Sequence, residues 1–170
     1  AWGMTHGGAD TQDLFLEKLR YSEKKVQQFY NNEWIDTKSF KKKIKPRNMD
    51  EIEVEVIETK NGNVIFGGPN KGLGISLSDP GGKQEGTYWI DSAYQAMISK
   101  CADDLEQAFD KWTDRTNNYP YADVNKNYGY KFAGAVPIRD IQHQWGIAKG
   151  WDNKYSVNHE IPREELPKSR

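Results

Sequence analysis

His143 and His159, both in the last third of the chain, are the residue types best suited to catalysis, and Lys149 and Lys154 lie close to them in sequence. Two histidines can serve as general base and general acid, and a lysine can hold the charge of a phosphate. That is the equipment of metal-free RNA cleavage, with His143, His159 and Lys154 as the catalytic set. The spacing does not force these residues together, so two unrelated surface histidines stay open as the alternative. The third histidine, His6, sits in a Gly-rich opening segment. None of the three stands in a C-x-x-C or H-x-x-x-H context, so no metal site is expected. The single cysteine, Cys101, excludes an internal disulfide. It falls on the apolar side of a helical pattern, where a buried thiol is expected rather than a nucleophile.

Other groups carry two readings each. Glu51, Glu53 and Glu55 share a strand face, either a crowded carboxylate set or simply a solvated edge. Asp123 and Asp152 fall in turns, where Asp bonds nearby backbone N–H groups. Tyr119, Tyr121, Tyr128 and Tyr130, with Trp145 and Trp151, suit either a stacking surface for a base or sugar or the half of the core that aliphatic residues do not fill. The basic run Lys41-Lys42-Lys43-Ile44-Lys45-Pro46-Arg47 reads as a solvated edge or a polyanion contact. Residues 67–86 hold many glycines, whose backbone N–H groups can approach a phosphate. Their order does not match the phosphate-loop pattern, so a flexible connection or lid is the competing reading.

The elements that must position these groups follow from periodicity. Phe15, Leu19, Val26, Phe29 and Tyr30 share a helical face, which predicts a helix over residues 11–30 ended by Asn31-Asn32. Ile52, Val54 and Val56 alternate with glutamates, and Asn61-Gly62 precedes Val64-Ile65-Phe66. This predicts a β-hairpin with a two-residue turn. Ile90, Tyr94, Met97, Ile98, Cys101, Leu105, Ala108, Phe109 and Trp112 form one stripe, predicting a single amphipathic helix over residues 90–112 with that stripe in the core. Asn117-Asn118-Tyr119-Pro120 breaks the pattern, and Tyr128, Tyr130 and Phe132 suggest a strand. A short helical turn from Pro137 and strands at 146–148 and 155–157 complete the expected elements.

The fold expected is α+β, an antiparallel sheet with a β-hairpin packed by two amphipathic helices. At 170 residues, one domain over 11–160 is expected, with a flexible lead-in at 1–10 and an extended tail at 161–170. Only 36% of residues are hydrophobic but 12% are aromatic, so large rings carry much of the burial. Lys plus Arg is 24 and Asp plus Glu is 25, so net charge exerts no global pull on nucleic acid or anionic membrane. No apolar run approaches the ~20 residues of a membrane span. The opening Ala1-Trp2-Gly3 suits either a processed mature chain or an excised fragment.

Asp123-Val124-Asn125, followed by Phe132-Ala133-Gly134-Ala135-Val136-Pro137-Ile138-Arg139-Asp140-Ile141, resembles the end of cholera- and pertussis-type ADP-ribosyltransferase toxin domains. Gly74-Ile75-Ser76-Leu77-Ser78 is similar to their Ser-Thr-Ser strand, and Lys18-Leu19-Arg20 to their first strand with its NAD-binding Arg. The resemblance implies NAD as co-substrate, held by Arg20, Ser76 and Ser78. It departs from the family where the Glu-x-Glu motif would fall on Asn127-Tyr128-Gly129, which has no carboxylate, and so implies a degenerate relative or a different active-site arrangement.

Three function classes therefore stand as expectations. The first is a toxin or effector acting on a nucleotide or RNA, either ADP-ribosyltransferase-like or a metal-free nuclease, secreted or delivered into a target cell. The others are a non-catalytic protein-binding module and an inhibitor with an acidic face for a basic partner.

Overall fold

The computed structural model describes residues 1–79, 88–157 and 159–170. In chain order its strands and helices are β1 Thr5–His6, β2 Asp13–Ser22, β3 Lys25–Tyr30, β4 Glu33–Asp36, β5 Lys38–Ile44, β6 Ile52–Glu58, β7 Asn63–Gly68, β8 Leu73–Ser78, α1 Tyr88–Ile98, α2 Ala102–Asp110, β9 Asn117–Ala122, β10 Tyr128–Ala133, β11 Pro137–Ile138, β12 Ala148–Lys149, β13 His159–Glu160 and β14 Lys168–Ser169. The class is α+β, with mostly antiparallel sheets and, among the described residues, two helices. Part of the glycine loop, residues 80–87, lies outside the described residues. Two compact units emerge, one of Ala1–Thr11, Asp79–Ile138 and Asn158–Arg170, the other of Gln12–Ser78 and Arg139–Val157.

The second unit is a sheet in the order β4-β3-β2-β8-β7-β6-β5, with β12 added in parallel beside β2. The helix expected over residues 11–30 is instead the β2–β3 hairpin. Phe15 and Leu19 are four residues apart, a spacing that fits a helix but also lies on one face of a strand. The residues between them decide the matter. Asp13, Phe15, Glu17 and Leu19 are all buried while their neighbours are not, a strict period of two. Glu23 and Lys24 close the hairpin with positive φ of 49° and 71°. Asn31 and Asn32 do the same for β3–β4 at 48° and 68°, so the expected helix stop is a hairpin turn.

The hairpin expected around Asn61-Gly62 is present, β6 pairing antiparallel with β7, but it is short and its turn is of another type. β6 meets β7 through the single pair Glu58↔Asn63, whereas β5 pairs with β6 along its whole length, from Lys38↔Glu58 to Ile44↔Ile52. Gly62 has φ 159° while Asn61 stays out of the left-handed region, so this is no two-residue turn of the expected type. A Cβ at Gly62 would lie 1.9 Å from the Leu77 carbonyl oxygen, which is why glycine stands there. The first part of the basic run, Lys41–Ile44, lies on β5, where two of its lysines pair with glutamates of the neighbouring acidic segment. Lys41 meets Glu53 at 2.7 Å and Lys43 meets Glu51 at 3.1 Å.

The first unit holds the sheet β1-β9-β10-β14, the short β11–β13 pair and both helices. The single long helix expected over 90–112 is broken. Cys101 is extended (φ −142°), and the Lys100 N–H donates to the Asp104 carboxylate at 2.9 Å, starting α2 afresh. Asn117-Asn118-Tyr119-Pro120 is part of β9 and not a break. β10 contains the expected strand at Tyr128–Phe132, but in a different sheet from β6. The core gathers Ala96, Leu105, Ala108, Phe109, Tyr119, Tyr121 and Ala133, with Phe109 stacked on Tyr119 at 4.0 Å between centroids. Tyr119 and Tyr121 are therefore core, while Tyr128 and Trp145 are exposed.

Burial pushes the Tyr119 phenol up from 10.0 to about 12. Burial, then a hydrogen bond to the Glu106 carboxylate, does the same for Tyr121, also to about 12. A raised value means the folded unit holds the proton more tightly than the unfolded chain. The contribution of both groups to stability is then complete below about pH 10 and lost as pH rises towards 12. Ultraviolet titration is expected to show these two tyrosines ionising last, together with unfolding. Ionisation of all nine tyrosines in one step near pH 10, with the fold intact, would refute this.

Candidate functional site

The most structured polar site lies in the second unit along the buried face of β2. Alternation along the strand turns Asp13 and Glu17 inward beside Phe15 and Leu19, leaving Asp13 3% exposed and Glu17 0%. Carboxylates are rarely so buried unless partnered.

Glu17 is held by neutral donors. Its Oε1 accepts from the Thr59 hydroxyl at 2.9 Å, the Asn61 side-chain amide at 2.9 Å and the Ser76 hydroxyl at 2.7 Å. Thr59 has only one hydroxyl proton, which it shares between Glu17 and the Gly62 carbonyl at 2.8 Å. Its oxygen receives the N–H groups of Asn61 and Gly62, so one side chain organises the whole 59–62 turn. Asn61 also donates to the Gly150 carbonyl at 2.9 Å. Glu17 Oε2 has no hydrogen-bond partner and abuts Gly150, where a Cβ would lie 2.4 Å from it.

Asp13 is held by charge. Its Oδ1 pairs with the Arg139 guanidinium, whose side chain is 11% exposed. The same oxygen lies 3.6 Å from His143 Nδ1, while Oδ2 is without a hydrogen bond. His143 Nε2 lies 2.9 Å from the Tyr155 carbonyl oxygen, and its ring meets Phe15 edge-on at 5.1 Å. Asp13 and Glu17 thus pin the segments around Arg139–His143 and around Asn61 and Gly150 onto one strand.

His143 sits in a single 3-10 turn, Ile141–Gln144, with its side chain fully buried. Lys154 is in the same unit but exposed, 3.6 Å from Asp140. His159 belongs to the other unit, on β13 and exposed. Ser76 bonds Glu17, and Ser78 is buried opposite Asp13 in the β2–β8 register. Arg20 lies on the outer surface of β2, stacked over Trp34 at 4.1 Å and bonded to Gln27. Asp123 is a turn cap, accepting from Asn125 and Asn127 N–H groups and from the Ala102 N–H. Among the described residues, no three His, Cys, Asp or Glu side chains are grouped to hold a metal. No helix among them is long and apolar enough to cross a membrane. Sequence reasoning passed over Asp13 and Glu17; the signal available was their inward phase with Phe15 and Leu19.

Comparison with known proteins gives a consistent result. The penicillin amidase family model matches residues 1–170. The acyl-homoserine lactone acylase QuiP of Pseudomonas syringae pv. tomato is 29% identical over 163 residues, covering 91% of this chain and 19% of that protein. The penicillin G acylase of Escherichia coli is 27% identical over 174 residues, covering 99% of this chain and 20% of its own length. The chain therefore spans about a fifth of the curated relatives it matches. A solved structure of thermostable penicillin G acylase from Alcaligenes faecalis shares the fold, with a TM-score of 0.73 at 24% identity over 99% of this chain and 30% of that one.

These matches overturn the ADP-ribosyltransferase resemblance, which rested on short motifs over a fraction of the chain. With it goes the basis for assigning NAD to Arg20, Ser76 and Ser78. The toxin, nuclease, binding-module and inhibitor readings are corrected likewise, since the whole-length family match is to acylases.

Proposed function

The chain belongs to the penicillin amidase family, and on that premise we propose that the protein is an acylase, hydrolysing the amide bond between an acyl group and an amine. Water adds across the bond, the acyl part leaves as a carboxylate and the nitrogen as a free amine. The observation that carries this is the family match over all 170 residues. It is supported by relatives named for penicillin G and for acyl-homoserine lactones, both compounds in which an acyl group is joined to nitrogen. The buried row on β2 fits an enzyme framework, since residues locked by packing and hydrogen bonds hold loops in place for chemistry.

The test is amine release. The intact protein is incubated with a phenylacetyl amide and with acyl-homoserine lactones of increasing chain length, and free amine is quantified. Release above the buffer rate from at least one of them is expected. Folded protein, by circular dichroism, that releases none from any of them overturns the proposal.

A further inference from the structure

One buried amide in the second unit is held at one end only. Alternation along β3 turns Val26 and Gln28 inward, each 1% exposed. The Lys60 backbone N–H donates to Gln28 Oε1 at 2.7 Å, which fixes the oxygen end of the amide. The NH2 end is the unmet one: Gln28 Nε2 has no hydrogen-bond partner among the described residues. Buried side-chain donors are nearly always paired, because an unmet one keeps the cost of leaving water and gains nothing for it. Gln28 lines a cleft of about 340 Å³, the size of the smaller ligand sites. The rest of the lining is Asp36, Thr37 and Lys38, where β4 runs into β5, and Glu58, Thr59 and Lys60, at the end of β6 and just beyond it.

Most polar groups of this cleft are already committed. The Thr37 hydroxyl donates to the Val26 carbonyl at 3.0 Å, and the Thr59 proton is shared between Glu17 and Gly62. Asp36 is paired with Lys25 and accepts from the Gln27 amide, while Glu58 lies 3.5 Å from the Lys38 ammonium. The two ion pairs cancel, and the Lys60 ammonium has no ion pair among the described residues. One amide NH2 and one positive charge are left over, and both are donors. A cationic ligand would find the carboxylates engaged, whereas an anion meets the two unmatched groups. We propose that this cleft binds a small monocarboxylate, one oxygen accepting from the Gln28 amide and the other from the Lys60 ammonium. The single surplus charge matches a monoanion, and a carboxylate presents two oxygens, one for each donor. The bond to Lys60 is charge-assisted, and the bond to Gln28 satisfies a donor that is otherwise unmet. The site needs nothing of the acylase reaction.

The test is butyrate binding by the intact protein, read by hydrogen exchange of the segments that hold residues 36–38 and 59–62. The Lys60 amide reports directly, since it bonds Gln28 Oε1. Butyrate at ten times its Kd is expected to slow exchange there about tenfold. Butyramide, of nearly the same shape but uncharged, is expected to leave it unchanged. Gln28→Glu keeps an oxygen for the Lys60 N–H and sets a second carboxylate oxygen where the NH2 stood, so butyrate affinity should fall about tenfold or more. Lys60→Met keeps an apolar stem at an exposed position and removes only the charge, so the fold stays and affinity again falls about tenfold or more. No protection of these segments by butyrate at about 50 mM overturns the proposal. So does equal protection by butyramide, or unchanged affinity in folded Lys60→Met, which would place bound butyrate elsewhere, the acylase site included. Amine release is scored separately, so failure of the acylase reading and failure of this site are distinguishable.

Discussion

Glu17→Ala is expected to cost about 4 kcal/mol or more of local stability in the second unit. Thr59, Asn61 and Ser76 all direct donors at Glu17 Oε1. Each donor left in a dry interior costs about 1–3 kcal/mol. Thr59 can turn its proton wholly to Gly62, so its loss is partial. Asn61 keeps its bond to Gly150 but loses a second acceptor, and Ser76 is 0% exposed and has no water to turn to. Glu17→Gln preserves the accepting oxygen and is expected to cost about 1–2 kcal/mol. Two compact units make a single global transition a poor measure, so the readout is hydrogen exchange of the 59–62 amides. Opening of that turn should be strongly promoted by Glu17→Ala and weakly by Glu17→Gln. The same change should blunt the clash of Gly150→Ala. Its Cβ would meet Glu17 Oε2 at 2.4 Å in the native protein, and nothing of the kind once Glu17 is alanine. Equal exchange in wild type and Glu17→Ala would show that the cluster does not hold the turn.

That cluster explains why much of the fold was hard to read. Helix and strand templates both accept apolar residues four apart, and Phe15 and Leu19 satisfied the helical one. What separates the templates is the residues in phase between them, and those are Asp13 and Glu17, charged residues that pattern rules place outside. A strand whose buried face is half carboxylate has no alternating hydrophobicity to display. The stripe on α1 failed differently. Its period holds, but the expected placement in the core does not: α1 turns Ile90, Tyr94, Met97 and Ile98 outward, while Ser92 and Ala96 face inward. Asn61 carries a turn signal with its Gly neighbour, yet its side chain serves Glu17, a partner 44 residues away. Elements with local signals fared better. The Tyr128–Phe132 strand and the mixed α+β class came from spacing alone. The family could not come from spacing, since its signature is spread thinly along the whole chain at 24–29% identity.

Asp13→Ala is the second large effect, expected to cost about 3–5 kcal/mol, because it removes the carboxylate from a guanidinium that is only 11% exposed. The pair differs in kind from Glu17. There the partners are neutral and the cost is unmet donors; here it is the loss of a charged partner from a nearly buried guanidinium. Replacing both partners with apolar residues, as in Asp13→Leu/Arg139→Met, should therefore recover most of the loss, whereas no apolar replacement of Glu17 alone can satisfy three donors. Burial also shields the pair from salt, so the destabilisation by Asp13→Ala should change little between low and high ionic strength, unlike that of the exposed Lys41–Glu53 pair. Urea unfolding followed by hydrogen exchange at Arg139–His143 measures both expectations. Asp13→Asn separates framework from chemistry. Its amide oxygen can still accept from Arg139, so a framework role predicts that amine release falls only as far as stability does. Loss of amine release with full retention of stability would instead make Asp13 a participant in the reaction.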